Sequence, residues 1–557
     1  MKKLPGISLI LTSGWIGFEI VRYLSDNKLY LNEIIALSYP VGIAIVSVLT
    51  LGLNSVLEVS YLSCIVQCVI LLVFSILFSV INNFSKKRWI GAKFSVSQIF
   101  LVIYIIFSFF MIKSVVFQNS RKIANHLNSK MYSTISMISS LSYGINRNSS
   151  LFDEFYDPIT RNSTNARMFL PYYMPALLKS STFTYKASYI VPVFLLIASS
   201  IALSWAYIHR VTNDYYSAVV GVPIIFLVGG LGFMEYYNPV LVNDPEHDFS
   251  SSFCGFNMPN THFLVDFLIS DPQKLYFFVL NIGCLFLFVL ECKPLSYLLY
   301  SLCLVFAEDM IIPFSISCLV FRVIVPFVSI SLIFSIKLTF PQLFSTITNT
   351  RLLLIRFISI RFGIFPFLVI LFYNKKYKTQ NIQSIITLVC SIFIRNNYSV
   401  QMFLVLSLVI PPLVIPVSVG IVGLFKDTEN GLKKGVKSFL GLLFLLSVVL
   451  SSILSLIVFQ KQQSNVWGYE DKKLSWWIIN QTSQYSIFAY NGNKWCPATS
   501  RGGRKSIIID FNNITESFDY FLIRKNSKEE SVLQSRINTD LKIEYESHSV
   551  MLLSPMK

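Results

Sequence analysis

The sequence predicts a mainly α-helical, polytopic transmembrane bundle of about ten to thirteen helices, with a small α/β domain outside the membrane at the C-terminal end. Three observations lead there. Of 557 residues, 54% are hydrophobic and only 13% are charged, where a soluble chain carries roughly 25% charged residues. Apolar runs of span length recur from the N-terminus to about residue 459, with basic residues clustered in the gaps between them. From Gln460 onward the composition turns polar.

The first run, 4 to 24, contains Glu19 and Arg22, and no small-residue cleavage site follows. It reads as a retained helix and not as a removed signal peptide. Further spans are expected at 33 to 55, 61 to 83, 95 to 117, 189 to 208, 216 to 234, 275 to 291, 295 to 316 and 317 to 337, then near 352 to 373, 381 to 397, 401 to 425 and 436 to 459. The proline-containing stretches 410 to 416 and 363 to 373 read as kinked or re-entrant. Residues 1–117 therefore form the N-terminal transmembrane helices and 118–188 a long extracytoplasmic loop. Residues 189–459 form the helical core, interrupted by a second outer loop at 235–274, and 460–557 a soluble domain on the outer side. Lys86, Lys87, Arg88 and Lys93 mark a cytoplasmic connection, which puts the long loop outside. In the tail, KLSWWIINQTS reads as an amphipathic helix, and YSIFAY, SIIIDF and DYFLIRK read as strands.

The formal charge of +17 does not indicate nucleic acid, because its basic residues lie where membrane topology places them. The partner it implies is the bilayer; protein partners are not identified. The nine cysteines lie mostly in apolar runs and form neither a zinc pattern nor a disulfide framework. There is no P-loop, dinucleotide fingerprint, HExxH or nucleophile elbow.

What remains are acids and arginines near the membrane surface. LFDEFYDP gathers Asp153, Glu154 and Asp157 in the long loop, as candidate catalytic carboxylates. Adjacent carboxylates can hold a divalent cation or act as a general base toward a hydroxyl. The same residues also suit a solvated loop turning at Asp157-Pro158. VNDPEHD brings Asp244, Glu246, His247 and Asp248 together in the second loop, a donor set for a divalent metal with nonspecific spacing. Glu308 and Asp309 interrupt an apolar run, where an acid is costly unless it serves a polar cavity, and they are candidates for substrate binding. Arg501 and Arg504 flank a Gly pair in the tail; turned backbone amides and two guanidinium groups suit a phosphate, and equally a basic surface turn.

The stretches EIIALSYPVGIAIVSVLTLGLNSVL (33 to 57), MISSLSYGINRNSS with FLPYYMPALLKSSTFTYKASYIVPVFL (137 to 195), GGLGF (229 to 233) and SWWIINQTSQYSIFAYNGNKWCPATSRGGRKSI (475 to 507) resemble, in type and order, segments of the GT-C class of polytopic membrane glycosyltransferases. The resemblance covers most of the chain. It implies transfer of a sugar from a polyprenyl-phosphate donor to an acceptor on the lumenal or extracytoplasmic face. It also implies an endomembrane location in a eukaryote, or the plasma membrane in a prokaryote. The class usually carries an Asp, often with a His close behind, at the start of the helix entering the first long loop. Here the chain reads HLNSKMYSTIS, with His126 and Asn128 and no carboxylate. Either Asp153, Glu154 or Asp157 takes that part, or the chain keeps the architecture without the reaction. A multi-span transporter and a noncatalytic membrane scaffold are the alternatives.

Overall fold

The computed structural model describes residues 3–91, 96–116, 121–149, 153–160, 162–244, 262–306, 362–393, 402–426, 432–490, 495–508, 518–525, 530–531, 533, 536–537 and 539–556. Four helices open the chain: α1 (Leu4–Leu24), α2 (Leu31–Leu53), α3 (Tyr61–Phe84) and α4 (Gln98–Val115). A folded segment follows, made of strand β1 (Lys122–Ala124), helix α5 (Asn128–Tyr143), the hairpin β2 (Phe155–Tyr156) and β3 (Ser163–Thr164), and helix α6 (Tyr173–Ser180). Next come α7 (Tyr185–Thr212), α8 (Tyr215–Leu227), the short α9 (Pro239–Asn243), a π-helical turn at Phe263–Ile269, α10 (Pro272–Val289) and α11 (Lys293–Phe306). Beyond them lie α12 (Phe365–Leu371), α13 (Lys378–Phe393), α14 (Ile410–Lys426) and α15 (Leu432–Lys461).

Among the described residues, eight helices are long and apolar enough to cross a bilayer: α1 to α4, α7, α10, the 402–426 helix that ends as α14, and α15. That number suggests a membrane protein with several crossings. Burial sorts them into shells. Only 22% and 17% of the apolar windows of α3 and α4 are buried, against 83% for α10 and 89% for the 402–426 helix. The last two are the centre of the bundle, and α3 and α4 turn apolar side chains outward, as lipid-facing helices do. Close helix contact rests on small residues. A Cβ at Gly17 would overlap the Ser38 carbonyl, and one at Gly42 the Ser13 carbonyl, so α1 and α2 touch backbone to backbone.

One expected span is shorter than its apolar run. The 216 to 234 run stops being helical at Leu227 because α15 takes over its backbone. The Gly229 amide donates to the Val448 carbonyl (2.8 Å), Ser451 Oγ donates to the Gly230 carbonyl (2.6 Å), and Ser451 Oγ accepts from the Phe233 amide (3.0 Å). The expected spans at 317 to 337, and parts of those at 295 to 316 and 352 to 373, lie outside the described residues.

After α15 the chain forms β4 (Gln463–Asn465), which pairs antiparallel with β1, Lys122 opposite Asn465. This pairing seats the C-terminal region on the same face of the bundle as α5. The region continues through α16 (Asp471–Gln481), β5 (Ile487–Tyr490), α17 (Pro497–Ser500), β6 (Lys505–Ile508), β7 (Tyr520–Arg524), β8 (Leu541–Glu546) and β9 (Val550–Pro555). Five strands make one mixed sheet in the order β6-β5-β7-β9-β8. Strand β5 is parallel to β6 and β7, and β9 is antiparallel to β7 and β8. The period-2 pattern builds both faces. Phe488, Tyr490, Leu522, Val550 and Leu552 pack with Leu474 and Ile478 of α16, while Ala489, Phe521, Ile523, Met551 and Leu553 form the opposite layer.

Candidate functional site

Glu154 and Asp157 of the long loop bond to different partners. Strands β2 and β3 pair Phe155 with Thr164 and Tyr156 with Ser163. Asp157 Oδ1 closes the turn between them by accepting from the amides of Ile159 (2.7 Å) and Thr160 (3.0 Å). Glu154 is exposed and accepts from the Tyr156 hydroxyl (2.7 Å), and Asp153 is exposed. The geometry gives Asp157 the turn role that its proline neighbour suggests. Asp244 is half-buried; Glu246, His247 and Asp248, like Glu308 and Asp309, lie outside the described residues. Among the described residues no three His, Cys, Asp or Glu side chains gather as a metal site.

Helix α5 instead carries two polar centres, one at each end. At its start is a carboxylate that the sequence reading passed over. Asp266 sits in the π-helical turn before α10, with no side-chain exposure. Its Oδ2 lies 2.8 Å from His126 Nε2 and accepts from the His262 amide (2.8 Å), and its Oδ1 accepts from Lys130 Nζ (3.1 Å). Burial alone would push this carboxyl up. The charges of His126 and Lys130 and the His126 hydrogen bond outweigh burial and hold it well below the usual carboxylate range. His126 stacks on Phe459 of α15, ring centroids 4.1 Å apart. His262 Nδ1 accepts from the Val265 amide (3.3 Å), so its Nε2 carries the proton and donates to the Ser452 carbonyl (3.1 Å). Lys130 is the member that reaches the surface, with 27% of its side chain exposed.

The local structure explains why these groups meet. A π-turn widens the helix and re-aims side chains, and such turns recur at functional sites. Ser270 Oγ donates to the Asp266 carbonyl (2.6 Å) and Thr134 Oγ1 donates to the Ser270 carbonyl (2.9 Å), which ties the turn to α5. The one available signal was a lone acid inside the apolar run HFLVDFLIS, because an isolated carboxylate among apolar residues needs a partner.

At the far end of α5 the C-terminal domain docks. Gly503 has a left-handed φ of 68°, and a Cβ there would overlap the Ser139 carbonyl, so the Gly pair is what lets this turn lie on α5. Arg504 is buried, and its five N–H donors meet five acceptors: Thr482 Oγ1 (3.2 Å) and the carbonyls of Tyr143 (2.5 Å), Gly502 (2.9 Å), Ile479 (3.2 Å) and Thr482 (3.0 Å). A guanidinium so occupied joins backbone to backbone. Arg501 is arranged differently. Its guanidinium lies 4.3 Å from the Trp467 ring centroid and 5.7 Å from that of Tyr185, while its carbonyl accepts from the Tyr185 hydroxyl (2.6 Å). The ammonium of Lys179 lies 4.4 Å from the same Tyr185 ring.

No protein-family model matches this chain, nor does any curated protein.

Proposed function

We propose that the protein is a membrane glycosyltransferase of the GT-C kind, moving a sugar from a polyprenyl-phosphate donor to an acceptor on the face that carries α5. The observation that supports this most is the Asp266 carboxylate set against His126 at the entry to α5. That is the place where the resemblance implies an acid with a histidine nearby. The acid comes from the second loop instead of from α5 itself, and it stands in for the roles first expected of Asp153, Glu154 and Asp157.

In this reading Asp266 stays ionised, orients the His126 ring and stabilises its charged form. The imidazole takes the proton of the acceptor hydroxyl as that oxygen bonds to the anomeric carbon. The bond from that carbon to the phosphate oxygen breaks, and the polyprenyl phosphate leaves with the electron pair. Lys130, the exposed member, faces the charge that develops on the leaving phosphate. A single displacement of this kind inverts the anomeric centre.

The test is transfer of radiolabelled sugar from a polyprenyl-phosphate donor by full-length protein in proteoliposomes. Lys130→Met keeps the Asp266 and His126 pair and should lower the rate about 100-fold or more, the scale of one lost electrostatic contact. Wild-type rates in both Lys130→Met and His126→Gln would sink the assignment. A second reading, a noncatalytic scaffold, is favoured by the saturation of Asp266, whose oxygens already accept from three donors. A scaffold would show no transfer in the wild type and would co-purify with a partner in fixed ratio.

A further inference from the structure

Lys179 and Arg501 are two half-buried cations beside the same aromatic ring, Tyr185, close enough for Arg501 to act on Lys179, and among the described residues neither bonds to a carboxylate. Lys179 also lies 5.4 Å from the Tyr143 ring and donates a long bond to the Phe183 carbonyl (3.4 Å). Buried Nε of Arg501 has no acceptor. One carboxylate, Asp471, acts on Arg501 through its charge but bonds elsewhere: it pairs with Arg524 at 2.7 and 3.1 Å and accepts from the Gly468 amide. More positive charge stands around the seam. Lys472 is exposed and acts on Lys179, and Arg121, 4.7 Å from the Tyr469 ring, acts on Arg501.

Cation–aromatic contacts offset part of the cost of burying such a pair, but they supply no negative charge. A half-buried cation pair with an open N–H is the electrostatic complement of a compact anion, and arginine with lysine is the usual pairing for phosphate. Tyr185 is the first residue of the apolar helix α7, a helix long and apolar enough to span a bilayer, and the ends of such a helix are where headgroups lie.

We propose that Lys179 and Arg501, backed by Tyr185 and Trp467, form a binding site for a phosphate group. It is separate from the Asp266 centre: Lys130 and Tyr143 stand at opposite ends of α5, about 20 Å apart at the helical rise, too far to serve one reacting bond. The site rests on these side chains alone and stands or falls independently of the transferase reading. Its phosphate comes either from a lipid headgroup or from a free anion.

Burial, reinforced by Arg501 and Lys472, brings the Lys179 amine down to about 8, and a bound phosphate moves it back up. The experiment uses full-length protein in nanodiscs with its lysines ¹³C-methylated, the Lys179 resonance being assigned by its loss in Lys179→Gln. In phosphatidylcholine discs, whose headgroup phosphate is capped by choline, and in buffer without inorganic phosphate, this resonance should titrate near pH 8. Inorganic phosphate, or phosphatidic acid built into the disc, should raise that midpoint by about one unit. A shift with inorganic phosphate assigns the site to free phosphate; a shift with phosphatidic acid alone assigns it to a lipid headgroup. Arg501→Gln should abolish the shift, and Arg501→Lys, which keeps the charge but lacks Nε, should weaken phosphate binding about tenfold. No shift with either probe, or an unchanged shift in Arg501→Gln, overturns the proposal.

Discussion

At the start of α5 a carboxylate is surrounded by its complements: Asp266 bonds to His126, Lys130 and the His262 amide, and charge and hydrogen bonding close on themselves. At the end of α5, Lys179 and Arg501 lie on aromatic faces and, among the described residues, reach no carboxylate. The helix is the same, yet the fully buried centre is neutralised from within, while the half-buried one keeps two cations that no carboxylate bonds. A buried charge that the protein itself compensates can be structural. One that it leaves uncompensated calls for a ligand.

The sharpest way to break this contrast is to remove compensation from the first centre. Asp266→Asn leaves His126 and Lys130 facing no negative charge and should destabilise the protein by about 3–5 kcal/mol, read as a lowered thermal midpoint in detergent. The pH dependence has a definite sign. Because this carboxyl is held below its ordinary range, its contribution is complete above the unfolded value of about 3.9 and is lost as pH falls below it. The variant should therefore lose less stability than wild type on acidification below about pH 4. An equal acid response in both would mean that the ion pairs contribute nothing.

The docking turn should respond less strongly. Gly503→Ala forces a side chain onto a backbone with φ 68° and into the Ser139 carbonyl, and Arg504→Met leaves four carbonyls, two of them buried, short of a donor. Each should cost about 1–3 kcal/mol. Limited proteolysis should then release the sheet domain while the helical core persists; unchanged cleavage would show that this turn does not hold the domain.

The smallest effect belongs to the uncompensated end. In phosphate-free buffer Lys179→Met removes a poorly solvated cation and should raise stability at pH 7 by about 1 kcal/mol. In the wild type, stability should climb as pH rises from about 8 toward the ordinary lysine value, since the unfolded chain holds more protons there. The variant should lack that climb. A destabilised Lys179→Met would mean that the amine's ring contacts outweigh its desolvation.

Local pattern carried much of the fold. The run expected at 33 to 55 is α2, Leu31–Leu53, and the runs read as strands overlap β5, β6 and β7, because hydropathy over twenty residues and alternation over five are properties of neighbours in the chain. At the site, locality says less. Asp153, Glu154 and Asp157 are close in sequence, but a hairpin turn spends Asp157 on its own backbone. His126 and Asp266 stand 140 positions apart, and no periodicity joins them. The end of α8 at Leu227 was equally hidden, because Ser451 of α15 captures the backbone that would have continued the helix.

By itself the sequence determined that this chain is mostly apolar helix with a polar, strand-containing end, since both follow from which residues can satisfy their backbones away from water. Only the tertiary structure decided which charges meet. Pairing a buried carboxylate with a histidine and a lysine depends on bringing α5, the π-turn before α10 and α15 to one point. Leaving two cations unanswered depends on the sheet domain docking at the other end of the same helix.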